Sequence, residues 1–161
     1  MAISRILFFT HVKSIDKTIK VIHISDIHYD PNYCVHGSAD CLDPLCCHIN
    51  SIPTIPGSKR SSRVYGEYKC DTSRALLHSL FNFLKTLDFD VIYFVGDSNS
   101  HDSWAKNINS NSAVIKYVFR AFKLYFPDKK IYSCLGNHEA HPVNRITSNH
   151  NFCTHQYPLL N

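Results

Sequence analysis

Three short apolar runs, IKVIHIS at 19–25, VIYFVGD at 91–97 and IYSCLGN at 131–137, constrain this chain more than any other feature. Each is too short for a helix and too apolar for a strand lying in water, so each reads as a buried β-strand. Between them the apolar spacing changes. Leu76, Leu77, Leu80, Phe83, Leu84 and Leu87 share one helical face, and Val114, Val118, Phe119, Phe122 and Phe126 share another. Asp71, Thr72 or Ser73 is expected to cap the first helix, which should run to about Leu87; Ser110 or Ser112 should open the second, and Pro127 should stop it. The order β, loop, α, β, α, β predicts right-handed crossovers and an α/β fold with a parallel sheet covered on both faces.

A chain of 161 residues, 44% of them hydrophobic, can bury one core, so one domain is expected. The formal charge of +4 is mild and the Lys and Arg residues are scattered, which argues against a nucleic-acid partner. Eleven His is a high count that favours metal or acid–base chemistry without locating it. No apolar run approaches the roughly 20 residues needed to span a bilayer. Ile6 to Phe9 is too short for a signal-peptide core and is followed by His11 and Lys13, so no secretory signal is visible.

Of the seven Cys, Cys34, Cys41, Cys46, Cys47 and Cys70 crowd into one segment, 29–70, in which Pro31, Pro44, Pro53 and Pro56 break any long helix. Such a segment needs staples. Disulfides in an oxidising compartment or thiolates on a metal would serve, and the spacing lacks the paired C-x-x-C knuckles of a structural zinc site. Disulfides are the expectation. They sit uneasily with the missing signal.

Once the strands are placed, the polar residues fall at one edge. Asp26 and His28 follow the first strand, Asp97 follows Gly96 at the end of the second, and Asn137 and His138 follow Gly136 at the end of the third. Loops at the carboxyl ends of an open parallel sheet converge on the ligand crevice. Asp26 and His28, two apart, point to one side of an extended backbone and can chelate one ion. Each Gly lets the chain turn sharply and bring the next side chain close. Carboxylate, imidazole and amide oxygen together suit a divalent metal such as Zn, Mn or Fe. Asp30 reads as the Asp of an Asp-Pro turn, and Trp104 as hydrophobic cover over the site, with a lipid-facing role the alternative.

The ordered set "SDIH", "VGDSNSHD" and "GNHEAHP" resembles the calcineurin-like metallophosphoesterases. Within them, "CLDPLCC", "YGEYKCD", "GDSNSHDSW" and "GNHEAHPVN" are similar to the acid sphingomyelinases, over about Ile19 to Asn144. The resemblance implies an α/β/β/α sandwich of which this chain supplies the first βαβαβ half, with 1–18 an N-terminal extension, 19–144 a partial phosphoesterase domain and 145–161 a divergent tail. It implies Cys41 paired with Cys46 and Cys47 with Cys70, leaving Cys34, Cys134 and Cys153 unassigned.

By the same resemblance, Asp26 and His28 bind a first Zn2+, Asp97 bridges two ions, and Asn137 binds the second. Two such ions clamp a phosphodiester and lower the pKa of a water toward about 7. His138 becomes the general acid for the leaving alkoxide, and His101 contacts the phosphate or assists proton transfer, with Asp102 a candidate to orient it. The family draws three further His ligands from a second half not recognised here; His150 and His155 are not expected to replace them. A zinc site normally needs at least three protein ligands, so the second ion should be weakly held or absent. The expectation is thus an incomplete chain of a phosphodiesterase that cleaves sphingomyelin to ceramide and phosphocholine, lysosomal or secreted, with a membrane lipid surface as a partner. The alternatives are an inactive binding protein with a partial metal site, and a hydrolase of nucleotide or other phosphodiesters.

Overall fold

The structure, a computed structural model, describes residues 8–13 (backbone only), 18–54 and 62–145. Four strands form one sheet in the order β1-β2-β3-β4: β1 (Phe8–Lys13), β2 (Thr18–Ile24), β3 (Val91–Phe94) and β4 (Lys130–Ser133). β2, β3 and β4 are the three expected strands and run parallel, with Ile22, Ile92 and Ile131 in one row and Ile24, Phe94 and Ser133 in the next. β1 was not expected. It pairs antiparallel with β2, Phe8 opposite His23 and Lys13 opposite Thr18.

Helix α1 (Arg74–Leu84) begins where the Ser73 hydroxyl accepts from the Leu76 N–H at 3.1 Å. Its buried face is Leu77, Phe81 and Leu84, and it ends three residues short of Leu87. Helix α2 (Ile108–Tyr125) starts earlier than expected. Asn107 is the cap: its Oδ1 accepts from the Ser110 N–H at 3.0 Å while the Ser110 hydroxyl accepts from the Asn107 N–H at 2.9 Å, so Ser110 is the third helical residue of a capping box, not the cap. The helix stops before Pro127, which disfavours helical backbone at Phe126.

Both helices pack on the same sheet face, where Ile22, Ile24, Ile92 and Phe94 meet Leu77, Phe81, Val118 and Phe122 in one core. Of the cover expected on both faces, the two described helices supply only this one. Strands added one after another in one direction, each through a crossover of the same hand, put every helix on the same side. The opposite face carries Tyr93 and Tyr132, paired across β3 and β4 and 45% and 53% exposed. For the same reason β4 is not a buried strand: Lys130, Tyr132 and Ser133 are exposed and Ile131 is half-buried.

The described part of segment 29–70 contains isolated bridges and turns but no helix and no longer strand. Disulfides join Cys41 to Cys46 and Cys47 to Cys70, around a small cluster with Ala39 and Tyr33. Cys34 and Cys134 are free thiols, and Cys153 lies outside the described residues, as do His150 and His155.

Candidate metal centre and catalytic pocket

Asp26, His28 and Asp97 come together beyond the carboxyl ends of β2 and β3, one donor atom of each within 4.8 Å of the others. All three have left-handed backbone, with φ of +57°, +43° and +58°. A non-glycine residue held there costs about 1–3 kcal/mol, and three in one pocket mark a place where side-chain direction overrides backbone ease. The strain is held by backbone bonds between the two loops, from the Asp26 N–H to Gly96 O at 3.2 Å and from the His28 N–H to Asp97 O at 2.9 Å.

The two glycines before the predicted ligands do more than turn. A Cβ at Gly96, where φ is +92°, would overlap the Gly136 amide nitrogen, and one at Gly136 would overlap the Asp97 carboxylate. The two loops touch backbone to backbone.

Glu139, 2% exposed, locks that contact. Its carboxylate accepts from the N–H groups of Asp97 at 2.8 Å, Ser98 at 2.5 Å and Gly136 at 2.7 Å. Asp97 in turn accepts from the His138 N–H at 2.8 Å. No sequence signal assigned Glu139 a role, because its partners are backbone groups brought near only by the sheet.

His28 donates from Nδ1 to the Asn99 carbonyl at 2.7 Å, which leaves the lone pair of Nε2, 3.7 Å from Asp26 Oδ1, to bind a metal. That fixes the tautomer a metal ligand needs. Asn137 uses its Nδ2 on Asn144 Oδ1 at 2.8 Å, leaving its own Oδ1 as the atom a cation would take. Two carboxylates and an imidazole at this spacing, with the imidazole tautomer already set, fit a borderline divalent cation.

His101 and His138 share the pocket. The His28 and His101 rings stack with centroids 4.0 Å apart, and His138 meets both edge-on at 4.9 and 4.7 Å. Burial, reinforced by His28 and His101, holds His138 below the ordinary histidine range, and its Nδ1 is buried with no hydrogen-bond partner among the described residues.

His101 shifts the other way. It is held by Asp71, not by Asp102: Asp71 accepts from His101 Nδ1 at 2.8 Å and from the His101 N–H at 2.6 Å, and this hydrogen bond raises the His101 pKa against the opposing effect of burial. Burial favours the neutral Asp71 acid, but the His101 hydrogen bonds and charge outweigh it and lower the Asp71 pKa. Asp71 lies 30 positions away, which is why adjacency suggested the wrong partner. Asp102 instead turns inward, 2% exposed, to Lys106 at 2.9 Å and the Ser100 hydroxyl at 2.8 Å.

Two further expectations change. Asp30 does shape a turn, accepting from the Asn32 N–H at 2.9 Å, but it is also a buried carboxylate, 1% exposed, with His48 Nε2 at 2.7 Å. Trp104, in the turn after His101, is 60% exposed and is not packed as cover.

Residues 19–160 match the family model of the calcineurin-like phosphoesterases. Among characterised relatives, sphingomyelin phosphodiesterase B of Dictyostelium discoideum is 35% identical over 131 residues, covering 79% of this chain and 20% of the relative. Human sphingomyelin phosphodiesterase is 33% identical over 128 residues, 78% of this chain and 20% of the relative. Human acid sphingomyelinase-like phosphodiesterase 3b is 35% identical over 139 residues, 82% of this chain and 28% of the relative. The chain thus spans between a fifth and somewhat over a quarter of these relatives.

Proposed function

The chain belongs to the calcineurin-like phosphoesterase family, and on that premise we propose that it carries the first half of a metal-dependent phosphodiesterase site for a sphingomyelin-type phosphodiester. The observation that carries this reading is the convergence of Asp26, His28 and Asp97 with His101 and His138 in one pocket. Asp26, His28 and Asp97, with Asn137 beside them, would hold the cation. A bound divalent ion supplies Lewis-acid polarisation of a phosphate oxygen and activation of a water.

The rest is done by the chain. His101, favoured as a cation by Asp71, faces the single negative charge of a phosphodiester. His138, beside it, gives a proton to the departing alkoxide, a poor leaving group without one. Glu139 holds the Asp97 and Gly136 loops in contact, so the carboxylate end of the pocket is set before substrate arrives. Zinc is the ion we favour on donor chemistry, and two disulfides favour a lysosomal or secreted setting, with substrate met at a membrane surface.

Zinc content and turnover of bis-p-nitrophenyl phosphate test the proposal. At least one zinc per chain with measurable turnover is expected, both lost in Asp97→Ala; less than one zinc and no turnover overturns it. Zinc without turnover would leave a binding protein with a partial site. Sphingomyelin should then be cleaved in preference to a nucleotide diester.

A further inference from the structure

The Cys-rich segment touches the pocket at two points, and both lie one residue beyond the same disulfide. Cys47 is followed by His48, whose Nε2 lies 2.7 Å from Asp30 Oδ2. Cys70 is followed by Asp71, which clamps the ring and the backbone of His101. Asp30 is two residues past His28, so the two contacts hold two different loops of the pocket.

The geometry between these points is continuous. Thr72, next after Asp71, donates its N–H to His28 O at 3.0 Å and its hydroxyl to Ile27 O at 2.5 Å, and accepts at its carbonyl from the Asp30 N–H at 3.0 Å. Tyr29 bridges in parallel to Thr72 on one side and Asn99 on the other, so Thr72 pairs through a single isolated bridge beside the ligand loops. Cys47 is itself strained, with φ of +70°, and is fixed by bonds from its N–H to Ser38 O at 2.8 Å and to its carbonyl from the Cys34 N–H at 2.7 Å. Both sulfurs are buried, with Cys47 0% and Cys70 3% exposed.

We propose that the Cys47–Cys70 disulfide braces the pocket, with His48 and Asp71 as positioning residues at its two ends. Asp71 selects the His101 tautomer that carries the proton on Nδ1, leaving Nε2 toward the pocket, and His48 gives the buried Asp30 carboxyl its side-chain hydrogen-bond partner, keeping the His28 loop in register. The Cys41–Cys46 bridge closes a loop of its own and has neither connection. For zinc the inference rests on the metal-site reading above; for the His101 tautomer it stands alone.

Long-range 1H–15N spectra of the metal-free chain at alkaline pH, where the ring is neutral, should show His101 protonated at Nδ1, the opposite of the Nε2–H tautomer that a free histidine side chain prefers. That signature should disappear in Asp71→Ala and in the double variant Cys47→Ala/Cys70→Ala, and survive in Cys41→Ala/Cys46→Ala. Zinc affinity should fall at least tenfold in His48→Ala and return to within twofold of wild type in His48→Arg, which restores a hydrogen-bond donor to Asp30 without restoring the imidazole. If the Cys47–Cys70 variant fails to fold, Asp71→Ala and the His48 pair decide the matter. Persistence of the signature in Asp71→Ala, or equal zinc affinities for His48→Ala and wild type, overturns the brace. A wild-type chain that binds no zinc overturns the proposed function and leaves the tautomer to decide.

Discussion

Phe81, Phe94 and Phe122 lie 1% or less exposed on the helix side of the sheet, whereas described residues between Asp30 and Cys70 bury little beyond Ala39, Leu45, Ser62 and half-cystines. One region is held by area removed from water, which is non-directional and tolerant of detail. The other is held by two covalent links, turns and individual polar bonds. The pocket lies on their boundary: its candidate ligands come from strand ends of the first, and the residues that aim His101 and hold Asp30 come from the second. A rigid scaffold sets position, and directional bonds set orientation.

The sharpest way to break this contrast is to truncate a side chain in each region. Phe81 is fully buried, with ring centroids 4.7 Å from Phe122 and 5.7 Å from Phe126, so Phe81→Ala should destabilise the chain by about 3–5 kcal/mol. Ile52 in the Cys-rich segment is 61% exposed, and Ile52→Ala should stay within about 0.5 kcal/mol of wild type. Urea midpoints at constant slope read both. Comparable losses at the two positions would show that the segment is packed like the core.

That division also decides what could be read before the fold was known. β2 and β3 were legible because burial leaves a pattern within each strand, β4 because its run is short and apolar although its residues are largely exposed, and Ser73 because a cap acts three residues ahead. The candidate ligands were legible because each ends a strand. β1 was not, since FFTHVK mixes apolar and polar residues without a clean alternation and is defined by its pairing to β2. Asp71, His48 and Glu139 were not, because each acts on a partner 18 or more positions away or on backbone groups, which leaves no spacing to detect.

Glu139 gives the second prediction, of intermediate size. Three backbone N–H groups from two loops end on one buried carboxylate. Glu139→Gln keeps the shape but replaces one acceptor oxygen with a donor facing those N–H groups, and should cost about 1.5–3 kcal/mol. Because the loss falls on the contact between the Asp97 and Gly136 loops, zinc affinity should drop along with stability. A stable variant with unchanged affinity would move the seam elsewhere.

The smallest effect is a titration. His78, between α1 and α2, has its ring nitrogens 2.8 Å from the Tyr125 hydroxyl and 2.9 Å from the Tyr117 hydroxyl. Burial, aided by the Arg74 charge, holds its pKa below 6.5, while Asp71 holds that of His101 above it. The signs therefore oppose. A histidine whose folded pKa is lowered contributes stability that is complete above 6.5 and is lost as pH falls toward the folded value, because the unfolded chain takes up the proton first. His78→Gln gives up the ring's hydrogen bonds at every pH but has no proton to gain. The variant should be the less stable protein near pH 8, and its deficit should narrow as the pH is lowered toward 5. Melting temperatures of the two proteins across that range measure the gap directly, and a gap that stayed constant would mean that His78 is not the group that makes the helix side of the sheet acid-sensitive.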